Sequence, residues 1–176
     1  MKGRPMDVER IDFAPDGSAI VDFRPAGAPS VAFLALVRPD VGETWVARFW
    51  SRDYGIPAKT FIHTWDSTQR ALIVAEGDAF YLRPDDPGWL LDVPVSPVLH
   101  LLRHDDLVVL GDFTSLVAVD GFGIRWQSRR IARDGLRALA IDEDHIEGEG
   151  YDPPSGTWLP FSVSLGSGEV TGGSFA

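Results

Sequence analysis

Residues 105–126 read DDLVVLGDFTSLVAVDGFGIRW, and the fold class that we predict rests mainly on them. Two continuous apolar runs, at 107–110 and 116–119, are typical of short buried strands, and residues 124–126 begin a third. Gly111-Asp112 and Asp120-Gly121 separate the runs. Because Asp-Gly favours the positive φ angles of a tight hairpin, the pattern predicts three antiparallel strands in succession, with those φ angles at Asp120-Gly121.

Weaker copies of this pattern flank the central stretch. Equivalent glycine breaks at Gly77, Gly111, and Gly148 or Gly150 give a period of about 34 to 40 residues, which is typical of β-propeller blades and related meanders. We therefore predict an all-β fold, an antiparallel meander of short strands in three or four blade-like repeats. The arrangement is either propeller-like, as a whole or partial propeller, or a β-sandwich or open barrel. We expect a single domain over 1–176, with divergent N-terminal strands in 1–57 and three propeller-like repeats in 58–176.

The N-terminal region also has strand patterns. Residues 8–13 and 19–23 alternate apolar and polar side chains around the turn sequence Pro15-Asp16-Gly17, which predicts a β-hairpin. Two further strands are expected at 31–37 and 44–50. In the second of these, Trp45, Ala47 and Phe49 would share one face.

The residues Val117-Ala118-Val119-Asp120, followed by Gly123 and Trp126, resemble the strand-turn-strand signature of quinoprotein-type, WD-like β-propeller blades. The stretch 164–170 is similar to the same turn without its Asp or Trp, and Gly88-Trp89 resembles it more faintly. The resemblance implies blade-like sheets with Trp126 packed between neighbours. It implies no quinone cofactor, and we expect none of any kind.

The number of repeats bears on association. A closed propeller needs at least four blades, and three are recognisable here. An incomplete ring leaves strand edges unpaired, so the chain would cover them with its own termini or associate with further copies. Homo-oligomerisation through sheet edges is therefore expected to be open to this chain.

Composition narrows the classes of partner. The chain has 176 residues, 44% of them hydrophobic, and a formal net charge of −10. Such a field repels phosphate backbones and anionic headgroups, so we expect no nucleic acid and no membrane partner, and instead a basic protein. The sequence contains no cysteine, which excludes disulfides and thiolate chemistry. Because no stretch has the length and apolarity of a membrane span or signal peptide, we expect a cytoplasmic, soluble bacterial protein.

The sequence contains no recognisable metal-binding or catalytic motif. The densest acidic patch, at 142–149, fails the EF-hand pattern because Ile146 occupies a ligand position. We therefore expect no metal site, and the weak candidates are Asp142, Asp144 and Glu147. The sequence contains no G-x-S-x-G nucleophile motif.

One loop stands out as a binding surface. Trp50 and Trp65 flank a segment that contains Arg52, Asp53 and Tyr54, and exposed aromatic and arginine side chains are enriched at interfaces. These five residues are the predicted binding residues. Most of the six tryptophans are expected to pack in the core.

Three functions follow as hypotheses. The first is a non-enzymatic protein-binding module, of which an immunity protein or antitoxin against a basic toxin is a narrower version. The alternative is a hydrolase or lyase that uses carboxylates on a carbohydrate-like substrate, motivated by the abundant acids and tryptophans. A third is a bacterial housekeeping or structural protein.

Overall fold

The computed structural model describes residues 5–27 and 29–175. These residues form sixteen strands and no helix, and each of their four sheets has four strands. They accordingly contain no helix that could cross a membrane. The predicted all-β fold of blade-like antiparallel sheets is confirmed. The chain forms two compact units, Met1–Val93 and Pro94–Ala176; the single domain over 1–176 stays a prediction.

The first sheet of the N-terminal unit has the order β1-β3-β4-β2. Its strands are β1 Asp7–Ile11, β2 Ile20–Phe23, β3 Ser30–Arg38 and β4 Trp45–Ser51. The two strands expected at 31–37 and 44–50 are confirmed.

The predicted hairpin between 8–13 and 19–23 is wrong. β1 pairs with β3, whereas β2 runs parallel to β4 at the opposite edge of the sheet. The reason is tertiary packing: at that edge Phe23 stacks on Phe49 at a centroid distance of 5.2 Å, a contact that a local hairpin would forgo.

The second sheet of this unit is a simple antiparallel meander. Its strands are β5 Phe61–Trp65, β6 Arg70–Ala75, β7 Asp78–Arg83 and β8 Asp86–Asp92. Trp45, Ala47 and Phe49 are buried in one core with Ile73 and Phe80 of the second sheet, so their predicted common face is confirmed.

The C-terminal unit consists of two further meanders in sequence order. One contains β9 His100–His104, β10 Leu107–Gly111, β11 Leu116–Asp120 and β12 Gly123–Gln127. The other contains β13 Leu136–Asp142, β14 His145–Asp152, β15 Thr157–Ser164 and β16 Val170–Gly172. The three strands predicted within 105–126 are therefore confirmed as β10, β11 and β12.

The turn between β11 and β12 differs from the prediction in its backbone. The positive φ angle, 131°, is at Gly123 and not at Asp120-Gly121. The Asp120 carboxylate instead accepts a hydrogen bond of 2.8 Å from the Phe122 N–H. This side-chain cap holds the turn in the manner of an Asx motif.

Two of the predicted glycine breaks are confirmed and one is misplaced. Gly77 lies between β6 and β7, and Gly111 ends β10, but Gly148 and Gly150 lie inside β14. The real break of the last repeat is at 153–156. Both glycines are packed too closely for a side chain. An added Cβ atom would lie 2.6 Å from Leu139 at Gly148 and 2.9 Å from Ala132 at Gly150.

Trp126 packs between the two sheets of the C-terminal unit, as the propeller resemblance implies. It is 7% exposed, and its Nε1–H donates a 2.7 Å hydrogen bond to the Leu165 carbonyl oxygen in the β15–β16 loop. In the N-terminal unit, Trp45 donates a 2.9 Å bond to the Pro84 carbonyl in the β7–β8 loop. A tryptophan therefore joins the sheets of each unit.

Replacing Trp126 with phenylalanine should lower the free energy of unfolding by about 1–3 kcal/mol, because the Leu165 carbonyl loses its donor and a gap opens beside Gly168. Urea unfolding followed by circular dichroism measures this change. The half-buried Trp158 gives a matched control, and Trp158→Phe should change stability by less than about 1 kcal/mol. Equal losses in the two variants would contradict the role of Trp126.

Candidate binding surface

Residues 52–60 connect β4 to β5 and are called the Arg52 loop below. This loop borders a cavity of about 270 Å³. The cavity is lined by Ser30, Arg52, Asp53, Tyr54, Ile56, Ala58 and Glu76. Three of the five predicted binding residues, Arg52, Asp53 and Tyr54, therefore share one cavity.

Asp78 holds the first turn of the loop. It is the first residue of β7 and only 2% exposed. Its Oδ2 accepts a 2.8 Å hydrogen bond from the Arg52 backbone N–H, and its Oδ1 accepts from Arg52 Nε–H at 3.0 Å and from Arg52 Nη2–H. The Tyr54 hydroxyl donates to the same Oδ1 at 2.7 Å, and Ser51 Oγ lies 3.2 Å from Oδ2. Asp78, Ser51, Arg52 and Tyr54 form what we call the Asp78 network.

The protonation state of this network follows from its contacts. Burial alone raises the pKa of Asp78, but the hydrogen bonds from Arg52 and Tyr54 outweigh burial, and the pKa lies below its ordinary value. The hydrogen bond with Asp78 in turn raises the pKa of Arg52. Asp78 is therefore a charged acceptor at neutral pH, an arrangement that positions side chains and does not suit a general acid.

The far end of the loop is held by the same β6–β7 turn. The Gly77 N–H donates to the Lys59 carbonyl at 2.9 Å, and the Glu76 N–H donates to Thr60 Oγ1 at 3.3 Å. Residues 76–78 thus anchor both ends of the Arg52 loop.

The cavity rim combines negative charge with apolar surface. Asp53, Ile56 and Glu76 are exposed. The Asp53 carboxylate accepts a 2.9 Å bond from the Gly55 N–H, and neither Asp53 nor Glu76 forms an ion pair within the part of the chain that the structure describes. Because Arg52 is neutralised by Asp78, the rim presents two uncompensated carboxylates beside the Tyr54 ring and Ile56.

The two predicted tryptophans lie elsewhere. Trp50 donates through Nε1 to Asp22 Oδ1 at 2.6 Å, and the Arg24 guanidinium lies 3.7 Å from its ring centroid. Trp65 is 5% exposed and packs against His63 and Tyr81, at centroid distances of 4.5 and 5.9 Å. Neither lines the cavity, and Trp65 is a core residue.

The weak metal candidates are exposed. Asp142 ends β13, Asp144 lies in the following turn with its Oδ1 2.6 Å from His145 Nδ1, and Glu147 lies on β14 opposite Ala140. Within residues 5–27 and 29–175, no three His, Asp or Glu side chains come together in a way that could hold a metal ion.

Sequence reasoning missed Asp78, which organises the loop. The surrounding sequence, Glu76-Gly77-Asp78, is typical of a turn, and nothing in it indicates that Asp78 is buried. Arg52, the residue that makes burial of the carboxylate tolerable, is 26 positions away in the sequence.

No family model matches the chain, and no curated protein matches it. Among solved structures, the chain is similar to the N-terminal domain of Nup159, with 10% sequence identity and a TM-score of 0.41. The similarity covers 89% of this chain and 43% of that chain, so this chain spans less than half of that neighbour's length.

Proposed function

We propose that this chain is a non-enzymatic protein-binding module that contacts a basic partner through the cavity beside the Arg52 loop. The observation that carries the proposal is the pair of uncompensated carboxylates, Asp53 and Glu76, beside Tyr54 and Ile56. A guanidinium or ammonium group pairs with carboxylates and lies favourably over an aromatic ring, while its alkyl stem packs on apolar side chains.

Order in the loop supports the same proposal. A surface that is already held in shape loses less conformational entropy when it binds, so more of its contact energy appears as affinity. The formal net charge of −10 would also steer a basic partner toward the chain. An immunity protein or antitoxin that neutralises a basic toxin is the narrower form of this proposal.

The first test uses a defined cationic probe. We expect an acetylated tetra-arginine amide to bind the full chain at low salt, and an otherwise identical citrulline peptide, which is neutral, to bind far more weakly. The double variant Asp53→Asn, Glu76→Gln should weaken tetra-arginine binding roughly three- to tenfold, because each partly exposed ion pair contributes about 0.2–1 kcal/mol. Isothermal titration calorimetry measures both affinities.

A charge-matched control separates the cavity from the overall charge. The double variant Asp16→Asn, Glu43→Gln removes two exposed carboxylates that precede β2 and β4, at the end of the first sheet opposite the Arg52 loop. It should leave the affinity within about twofold, since exposed charges at a distance are screened. Equal weakening by the two double variants would refute a site at the Arg52 loop.

The second test asks for a protein partner. The wild-type chain and both double variants serve as baits in lysate of the source organism, and retained proteins are identified and sized in complex. We expect a basic protein in stoichiometric amount on the wild type and on the control, and its loss from the Asp53, Glu76 variant. Retention of the same proteins by all three baits would count against the proposed surface.

A further inference from the structure

We infer that Asp78 is a positioning residue, whose buried carboxylate holds the Arg52 loop in the conformation that presents Asp53, Tyr54 and Ile56 to a partner. This inference rests on the proposed function, which it deepens by naming the residue that makes the surface competent. Asp78 itself does not line the cavity and touches no partner in this scheme; it acts through Arg52 and Tyr54.

The first support is the direction of the hydrogen bonds. The Asp78 carboxylate accepts from the Arg52 backbone, from the Arg52 guanidinium and from the Tyr54 hydroxyl. A backbone contact together with two side-chain contacts determines both the course of the chain at residue 52 and the orientations of two cavity side chains. A single surface ion pair would leave the backbone unconstrained.

The second support is burial. Asp78 is 3% exposed in its side chain, whereas the Arg52 side chain is 38% exposed. Hydrogen bonds to a charged group away from water are stronger than those on the surface. Asp78 is therefore the fixed member of the ion pair, and it holds Arg52, whose side chain reaches the solvent.

The third support is the strand that carries Asp78. β7 pairs with β6 and β8 on its two sides, and Asp78 lies opposite Ala75 next to a tight turn in which Glu76 and Gly77 have φ angles of 48° and 101°. The position of the Asp78 carboxylate is therefore fixed by the sheet. Its hydrogen bonds hold Arg52 and Tyr54 of a loop that has no regular secondary structure.

The ordering role is tested by amide hydrogen exchange of the full chain. In Asp78→Asn the Arg52 amide loses its charged acceptor, so its exchange rate should rise at least about tenfold, while amides inside β7 stay unchanged. The matched control is Asp22→Asn, which breaks the ion pair between Asp22 and Arg48 and should change the Arg52 amide by less than about twofold. Equal rates at Arg52 in the two variants would overturn the inference.

A variant of unchanged charge tests the link to binding, and it decides the question if Asp78→Asn does not fold. Tyr54→Phe keeps the ring and removes only the hydroxyl that donates to Asp78. In this variant the affinity for the tetra-arginine peptide should fall about threefold, and amides 52–55 should exchange faster. The control Tyr151→Phe should change neither the affinity nor these exchange rates. Faster exchange with unchanged affinity would refute the positioning role.

If the wild type bound no peptide, the proposed function would fail, and the exchange data would still show whether Asp78 orders the loop.

Discussion

Replacing Arg52 with methionine should lower the free energy of unfolding by about 3 kcal/mol. The substitution keeps an apolar stem but leaves the Asp78 carboxylate, 3% exposed, without its cation. Removing one partner of a buried ion pair is destabilising by roughly 3–5 kcal/mol, and the partial exposure of Arg52 puts the expected value at the low end. Chemical unfolding at pH 7 measures the change. Arg48→Met is the matched control and should lower stability far less, because its partner Asp22 is partly exposed and can be hydrated.

The pH dependence of this effect has a definite sign. In the wild type the pKa of Asp78 lies below the ordinary value of 3.8, so the stability that the ion pair contributes is present above about pH 4 and is lost as the pH falls through the lowered pKa. In Arg52→Met the unpaired carboxylate would protonate readily on acidification, which removes its unfavourable buried charge. The stability gap between the two proteins should therefore narrow between pH 7 and pH 3. A gap that stayed constant would show that the loss came from packing and not from charge.

Replacing Phe49 with alanine should lower the free energy of unfolding by about 3–5 kcal/mol. Phe49 is fully buried, and its ring lies 5.2 Å from Phe23, 5.2 Å from Phe33 and 5.4 Å from Phe80, measured between centroids. Three strands of the first sheet and β7 of the second sheet meet at this ring, so no single neighbour can move to fill the space. Urea unfolding followed by tryptophan fluorescence measures the loss.

The matched control for this prediction lies in the same unit. Phe13 is 85% exposed, and Phe13→Ala should change stability by no more than about 0.5 kcal/mol. If Phe49→Ala were as mild as this control, the four rings would not form a tightly packed core.

Some residues of the candidate surface could be predicted from the sequence, and others could not. Arg52, Asp53 and Tyr54 could be selected from the sequence because their residue types, in a loop between two strands, are typical of interfaces. Glu76 and Asp78 could not, since Glu76 lies in the β6–β7 turn and Asp78 directly after it, two strands further along the chain than the Arg52 loop. The prediction for Trp65 rests on its residue type and on its position beside the loop, and neither distinguishes a buried indole from an exposed one.

Most of the strands, and the antiparallel meander of the repeats, could be predicted from the amino-acid sequence. Apolar runs and alternating side chains are local properties of strands, and two of the three breaks between strands in the repeats, at Gly77 and Gly111, were visible as glycine breaks. Three features depend on tertiary contacts: the parallel pairing of β2 with β4, the close packing at Gly148 and Gly150, and the burial of Asp78. Each of these depends on contact between segments that are distant along the chain, such as Phe23 with Phe49, Gly150 with Ala132, and Asp78 with Arg52. Local periodicity carries no information about such contacts, because their energy arises only when the sheets have packed.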